Sequence, residues 1–195
     1  MLTSKILWVS NVEKVEEFVK ANIITKTTRV SLDGTPQEDV SFPAFKFKEL
    51  ANESWEESTL LDMLESTKFL FVVFRINLKN ISSFKKLSKA EQNKHLILEK
   101  VVFWNAPASD IDSYGKETWE KTVKTINEGV IITKKERKND YILTNNLPSS
   151  KETNMIHVRP HWANREDVDE LPDWRTLTKQ SFWFNKKYVS NQLDL

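Results

Sequence analysis

The 195-residue chain contains no cysteine and only three glycines. The lack of cysteine excludes disulfide bonds and zinc sites built on thiolates. It also fits a reducing compartment such as the cytoplasm, where disulfides are rare. The few glycines form neither a G-x-G-x-x-G pattern nor a P-loop, so these two kinds of nucleotide-binding loop are absent.

Long hydrophobic runs and an excess of charge of one sign are also lacking. The longest strongly apolar run, FLFVVF at 69–74, is far shorter than the roughly 20 residues of a membrane-spanning helix. The N-terminal segment has no long apolar core, and we therefore expect no signal peptide. The 29 Lys and Arg against 28 Asp and Glu argue against a protein that coats nucleic acid non-specifically, but not against a local basic groove.

Hydrophobic patterns predict one domain of the α/β or α+β class, with a central mixed sheet flanked by helices. Strands are expected at 23–32, 40–50, 68–76, 98–107 and 154–164, and helices at 12–21, 52–64 and 109–130. Residues 77–98 are expected to form a loop with a short helix, and residues 178–193 a strand or a helix. The turn DGTP at 33–36 predicts that the first two strands form a hairpin, and segment 68–76, apolar on both faces, is typical of a central strand.

Acidic residues are the first candidates for chemistry, because magnesium-dependent phosphodiester cleavage needs at least two carboxylates and a lysine or water network. The one Asp/Glu-x-Lys triplet is Glu136-Arg137-Lys138, in a charged run that favours a solvated turn. The segment expected to be buried, SFPAFKFKEL at 41–50, carries Ala44 where an acid would stand two residues before Lys46.

Histidine and polar residues near the C-terminus are the second set of candidates. His157 and His161 have metal-ligand spacing on a helix, but Pro160 between them disfavours a helix and metal binding. The segments HVRPHWAN and LTKQSFWFN combine aromatic rings with donors able to contact bases and phosphates. Residues 151–195 also carry seven basic and seven acidic side chains, so surface ion pairs are the competing interpretation.

Five segments in the same order resemble the MutH-like family, which comprises the mismatch-repair nicking endonuclease MutH and type II restriction enzymes that cut at GATC. They are SFPAFKFKEL, SWEESTLLDMLESTKFLFVVF, VVFWNAPASDID with TWEKTVKTINEGV, HVRPHWAN and LTKQSFWFN. KANIITKTTRVSL, SFPAFKFKEL and FWNAP resemble most the C-terminal half of the two-domain staphylococcal GATC restriction enzyme. This resemblance implies a restriction-endonuclease-like fold, with residues 1–195 as one MutH-like domain.

The resemblance also implies a degenerate catalytic site. Ala44 stands at the family's metal-binding glutamate and Lys46 at its lysine. The upstream aspartate falls near Ser41 to Gln37, neither of which is an acid, and Asp33 and Asp39 are nearby but misplaced. We therefore expect no metal in this domain and no cleavage by it. Arg159-Pro160-His161 corresponds to the family's Arg-Pro-Lys, while the family's late-loop tyrosine falls near Leu177. The DNA contacts implied are Arg159, His161, Asn164, Lys179 and Gln180, with Lys46 and Lys48 as phosphate contacts on the former catalytic strand.

In the family layout the second half is an effector, and this implies that the chain binds double-stranded GATC DNA to license cutting at another copy. Its partners would be a magnesium-dependent catalytic MutH-like domain of the same polypeptide and, on DNA, a dimer, in the bacterial cytoplasm and not at a membrane. Two alternatives stay open. One is an active magnesium nuclease that uses Asp33 or Asp39 with Glu49. The other is a protein-interaction module that does not bind DNA.

Overall fold

A computed structural model describes residues 15–137, 140–161, 164 and 166–195. The strands are β1 (Ile23–Val30), β2 (Val40–Ala44), β3 (Lys68–Ile76), β4 (Leu96–Trp104), β5 (Ile132–Arg137), β6 (Asp140–Asn145), β7 (Ile156–Pro160), β8 (Val168–Glu170), β9 (Thr176–Thr178) and β10 (Gln180–Phe184). The α-helices are α1 (Glu16–Lys20), α2 (Phe47–Leu50), α3 (Thr59–Ser66), α4 (Ile81–Lys86), α5 (Lys89–Lys94), α6 (Ala108–Asp110), α7 (Lys116–Glu128) and α8 (Lys186–Gln192). A π-helical turn, Ile111–Gly115, joins α6 to α7. The mixed α/β class predicted from the sequence is confirmed.

The described residues fall into two compact units. The first unit contains the described residues of 1–40, 63–106 and 186–195, and the second contains those of 41–62 and 107–185. The predicted single-domain organisation stays a prediction. Among the described residues, no helix is both long and apolar enough to cross a membrane.

The first unit is built on a three-stranded mixed sheet in the order β1-β3-β4. Strand β3 runs parallel to β1 and antiparallel to β4. Its residues Phe69 to Phe74 are all buried, which confirms the prediction of a central strand. A strand with neighbours on both edges and apolar side chains on both faces removes a large apolar area from water, and this burial stabilises the unit.

The predicted hairpin between the first two strands is wrong. Strand β1 pairs with β3, whereas β2 lies in another sheet. The predicted turn is associated with a single isolated β-bridge, between Val30 and Pro36. Gly34 adopts a left-handed φ of 81° in that turn. The turn residues were identified correctly, but long-range pairing with the apolar strand β3 determines the partner of β1.

Local capping signals place several helices of the first unit. Ser88 and Glu91 form a capping box at the start of α5, and the Asn80 side chain accepts a hydrogen bond from Ser83 N at the start of α4. The predicted loop with one short helix at 77–98 therefore contains two helices and the start of β4. Of the predicted N-terminal helix, Glu16–Lys20 is observed and Val12 lies outside the described residues.

The second unit contains a three-stranded sheet in the order β2-β10-β7 and two separate pairs, β5-β6 and β8-β9. Helix α7 buries Trp119 and Ile126 as predicted, and Gly129 follows it with a left-handed φ of 99°. Segment 178–193 contains strand β10 of the second unit followed by helix α8 of the first unit, so both predicted forms occur in succession. Helix α3 begins at Thr59, seven residues later than predicted. Trp55, in the loop that precedes α3, packs against Trp119.

Candidate nucleic-acid interface

The segment SFPAFKFKEL changes from strand to helix in the middle. Strand β2 ends at Ala44, Lys46 is extended, and α2 begins at Phe47, so the expected strand to residue 50 is wrong in its second half. Phe47 and Leu50 are buried at a spacing of three residues, which fits a helical turn and not an alternating strand. Lys46 therefore lies at the start of a helix and Lys48 within it, and neither is on a catalytic-type strand.

A carboxylate from β8 fixes this strand-to-helix change. Asp169 accepts a hydrogen bond from Phe47 N at 2.9 Å through one oxygen, and its other oxygen lies 3.3 Å from Lys46 Nζ. A carboxylate at a helix start satisfies a backbone N–H that has no partner inside the helix. Asp169 thus positions both the helix and the lysine that precedes it.

Each of the three lysines expected to contact DNA pairs with a carboxylate of one short segment. Lys46 pairs with Asp169, Lys48 with Glu170, and Lys179 with Asp167. We call Asp167, Asp169 and Glu170 the acidic strip. The lysine side chains are 53%, 42% and 31% exposed, respectively, and exposed or half-exposed pairs of this kind each contribute about 0–1 kcal/mol. Another anion can therefore replace Glu170, which is 44% exposed, at small cost, whereas Asp169 is 14% exposed and also holds the backbone of α2.

Arg159, His161 and Trp183 form a second cluster on one face of the sheet. Residues at alternate positions of a strand share a face, and Arg159 on β7 lies diagonally opposite Trp183 on β10. The Arg159 guanidinium carbon lies 4.8 Å from the centroid of the Trp183 ring, and the His161 ring lies 5.3 Å from it in an edge-on arrangement. The cluster combines a fixed cation with aromatic surface.

Hydrogen bonds tie this cluster to β2 and to the segment between β9 and β10. His161 Nδ1 lies 2.9 Å from the carbonyl oxygen of Phe42 on β2, so that nitrogen carries the hydrogen of the bond. His161 N donates to the carbonyl oxygen of Lys179 at 3.0 Å. The predicted contacts Lys46, Arg159, His161 and Lys179 are thereby held within one connected part of the second unit.

Gln180 and Asn164 have local structural contacts. Gln180 is completely buried, and its amide nitrogen donates to Thr178 O at 2.8 Å. Its side-chain oxygen has no hydrogen-bond partner among the described residues. Asn164 is exposed and accepts a hydrogen bond from Glu166 N at 2.9 Å in a turn. Gln180 at this position cannot reach an external base, whereas the Asn164 side chain faces solvent.

A concave space of about 590 Å³ lies beside the Arg159 cluster. Its lining comprises Tyr141, Ile142, Leu143, Arg159, Pro160, His161, Thr178 and Trp183. Its walls are mainly apolar with a few polar groups, as is common in ligand sites of this size. Hairpin β5-β6 provides one side of this space, a contribution that the sequence alone did not indicate.

The acids of the nuclease alternative have other partners or positions. The Asp33 carboxylate accepts hydrogen bonds from the Ser31 hydroxyl and from Thr35 N, and these bonds lower its pKa, the Ser31 bond most. Asp39 accepts a hydrogen bond from Lys186 N at 2.9 Å. Glu49 is exposed on α2. Among the described residues, no group of three or more His, Asp or Glu could hold a metal ion.

The triplet Glu136-Arg137-Lys138 is only partly described. Glu136 is exposed on β5 and Arg137 ends that strand, while Lys138 lies outside the described residues. His157, the other histidine considered for a metal, is buried, and its Nδ1 is hydrogen bonded to Asn185 Oδ1. This histidine has a structural role in the second unit.

Sequence reasoning missed the acidic strip and two aromatic residues. Trp183 forms the centre of the Arg159 cluster, and Trp174 lies at the turn between β8 and β9 with 75% of its surface exposed. The acidic strip is visible in the sequence as DVDE at 167–170, but Lys46 and Lys48 lie 123 and 122 positions away from their carboxylate partners. The turn signal in LPDW at 171–174 was the one local indication that Trp174 would be exposed.

Comparison with known proteins places these observations in context. No family model matches the chain. The chain is 32% identical over 211 aligned residues to the type II restriction enzyme Sau3AI of Staphylococcus aureus. The alignment covers 93% of this chain but only 40% of that enzyme, so the chain spans about two fifths of the relative's length. The chain is therefore related in sequence to a type II restriction enzyme over almost all of its length.

Proposed function

We propose that this chain is a DNA-binding, non-cleaving domain that recognises GATC and acts as the allosteric effector of a type II restriction endonuclease. Sau3AI is by name a type II restriction enzyme, and 93% of this chain aligns with it. The proposed surface consists of the Arg159 cluster together with Lys46, Lys48 and Lys179. Asn164 is a further candidate contact, whereas buried Gln180 serves to position Thr178 beside that surface.

The observation that carries the proposal is the convergence of these residues in one unit. Lys46 reaches β8 through Asp169, Lys179 reaches its neighbour Asp167, and His161 binds the backbone of both Lys179 and Phe42. Lysines placed around an arginine and aromatic rings can hold a phosphate backbone while Arg159 reaches a base edge. Arginine donates two parallel hydrogen bonds to guanine, the first base of GATC.

The carboxylates of the acidic strip compete with DNA phosphates for the lysines of this surface. Because each lysine already faces a carboxylate, a phosphate must replace that carboxylate to bind. A surface of this kind binds DNA weakly through the backbone alone and needs additional contacts to bases for high affinity. This supports sequence-dependent binding over non-specific coating, in agreement with the overall net charge of +1.

The residues at the end of β2 do not fit a magnesium site. Ala44 has no side-chain oxygen, and Mg²⁺ is bound in proteins through oxygen ligands. Asp169, the carboxylate beside Lys46, is already committed to Lys46 and to the backbone of α2. We therefore derive no cleavage step in this chain, and in our proposal magnesium belongs to a separate catalytic MutH-like domain.

An exposed apolar row on β4 supports a contact with that catalytic domain. Leu98, Val101 and Phe103 share one face of the first unit's sheet and are 43%, 46% and 55% exposed. Exposed apolar patches of this kind often mark protein contacts. The relative extends far beyond the aligned region, and its additional length provides room for such a domain. Effector coupling through this contact requires a coupling free energy of about 1–3 kcal/mol.

Fluorescence anisotropy tests the recognition. The chain is titrated into a GATC duplex and a scrambled duplex of equal composition at 50 to 300 mM salt. We expect tighter binding to GATC at every salt concentration. Equal affinity with a steep salt slope would show backbone binding only, and no binding to either duplex at low salt would favour the protein-interaction alternative.

Two further measurements test the other parts of the proposal. The chain is incubated with GATC plasmid and Mg²⁺, and we expect no nicking. Nicking that disappears in Asp39→Ala would support the nuclease alternative and contradict ours. For the effector role, the chain is added to a catalytic MutH-like domain, and a GATC duplex should then stimulate cleavage where a scrambled duplex does not.

A further inference from the structure

The turn between β8 and β9 presents Trp174 to solvent on a well-fixed support. Leu171 N donates to Arg175 O at 2.8 Å and Trp174 N donates to Leu171 O at 3.0 Å, so the turn is closed by backbone hydrogen bonds. Arg175 pairs with Asp173 at 2.5 Å and donates to Val130 O at 2.8 Å. Leu171 and Leu177 anchor the base of the turn in the core.

The conformation of Trp174 disfavours a purely structural role. Its φ of 68° lies in the left-handed region, which bulky L-residues rarely adopt because of the Cβ atom. The residue is also 75% exposed, so its ring contributes little to the core. Glycine or asparagine would fit this backbone better. A large aromatic ring in a strained and exposed position is a feature that folding alone does not explain.

Lys48 occupies one face of this ring. Its Nζ lies 3.8 Å from the ring centroid, within the range of a cation–π contact, and it also pairs with Glu170. With 75% of the residue in solvent, the rest of the ring remains accessible. A base stacked on the exposed face would bring its own phosphate towards the ammonium group of Lys48.

We propose that Trp174 is a stacking site for a nucleobase of the bound DNA, at or next to the recognition sequence, with Lys48 holding the adjacent phosphate. This inference rests on the proposed DNA-binding function. Aromatic rings bind bases by stacking regardless of sequence, and apolar side chains can enter an opened base step. The fixed turn presents the ring in a defined position, so little side-chain freedom is lost on binding.

Photochemical cross-linking and affinity measurements on the 195-residue chain test this site. GATC duplexes carry 5-iodouracil at one thymine at a time, inside or beside the site, and the cross-linked peptide is identified by mass spectrometry. We expect a cross-link at Trp174. Trp174→Gly should weaken GATC binding about tenfold, while its thermal midpoint stays equal or rises because the backbone strain is relieved. Trp174→Phe should lose about threefold.

The matched control is Tyr114→Ala, which removes an exposed aromatic side chain elsewhere in the second unit and should leave the affinity within twofold. If Trp174→Gly binds GATC with wild-type affinity, or if no thymine position cross-links to Trp174, the stacking site is wrong while the proposed function stands. If the wild-type chain binds no duplex at all, both are wrong. A fall in the thermal midpoint of Trp174→Gly would assign the ring to folding and contradict the inference.

Discussion

Charged side chains have different roles in the two units. In the first unit, Arg75 pairs with Glu99 and also donates to the carbonyl oxygens of Ser31 and Leu32, at 3.2 and 2.8 Å. In the second unit, Lys46 and Lys48 each meet one carboxylate of the acidic strip. A cation with several fixed partners holds the fold, whereas a cation with a single carboxylate partner can exchange it for another anion. The number of partners, and not the residue type, separates the two roles.

The largest expected effect concerns the core of the first unit. Phe71 on β3 is completely buried, and Phe71→Ala should reduce the free energy of unfolding by about 3–5 kcal/mol. The matched variant Phe103→Ala removes the same ring from an exposed position on β4 and should cost less than about 1 kcal/mol. Urea denaturation followed by circular dichroism measures both. Equal losses would show that β3 is not the centre of the unit's stability.

Arginine substitutions in the two units should separate binding from folding. Arg159→Ala should weaken GATC binding by about 1–3 kcal/mol, roughly 5-fold to 150-fold, with little change in thermal midpoint. Arg75→Met should lower the thermal midpoint and leave the affinity within twofold. Anisotropy titrations and thermal melts of both variants measure these effects. If Arg75→Met alone weakened binding, the division of roles between the units would be wrong.

Removing one carboxylate of the acidic strip should strengthen binding. In Glu170→Gln, Lys48 keeps its contact with Trp174 and no longer has to exchange a carboxylate for a phosphate. We expect affinity to rise about twofold to fivefold, which corresponds to less than about 1 kcal/mol for an exposed pair. Glu99→Gln in the first unit is the control and should leave affinity unchanged. Weaker binding by Glu170→Gln would mean that the strip supports the surface instead of competing with DNA.

The sequence predicted the parts of the fold that depend on local patterns. The apolar run at 69–74 identified β3, and the spacing of Trp119 and Ile126 identified α7, because burial of these side chains determines both elements. The partner of β1 was wrong, since a turn signal shows where a chain reverses and not which strand will bind. Strand β1 pairs along its whole length with β3, whose residues Phe69 to Phe74 are buried and apolar.

The candidate site was only partly predictable for a related reason. Arg159 and His161 were proposed because arginine, histidine and aromatic residues cluster in one segment, and in the structure both lie against Trp183. The partners of Lys46 and Lys48 lie more than 120 positions away, and no local pattern encodes such a contact. The sequence also did not indicate that Gln180 is buried, because the polar residues around it in TKQS show no alternation that would identify the covered face. The exposure of Trp174 follows from a turn conformation that composition does not reveal.

The smallest expected effect is a difference between Glu99 and Glu152 in how their pKa values change with salt. The two glutamates differ because their pKa shifts have different causes. The hydrogen bonds from Arg75 hold the pKa of Glu99 in the first unit below its ordinary value of 4.5. In the second unit, hydrogen bonds from the Ser149 hydroxyl and Ser149 N lower the pKa of Glu152. Both groups therefore contribute stability that is fully present above pH 4.5 and is lost as the pH falls through the lowered pKa of the folded state.

Salt and substitution should separate these two causes. Added salt weakens the attraction between Arg75 and Glu99, so the pKa of Glu99 should rise towards its ordinary value, and in Arg75→Met the shift should be largely lost. The pKa of Glu152 depends mainly on neutral donors and should change little with salt, but it should rise in Ser149→Ala. NMR titration at low and high salt measures the pKa of Glu99 and of Glu152 in the wild-type chain and in the two variants. A salt-dependent pKa at Glu152 with a constant pKa at Glu99 would reverse the assignment, and ion pairing would then be the dominant local force in the second unit.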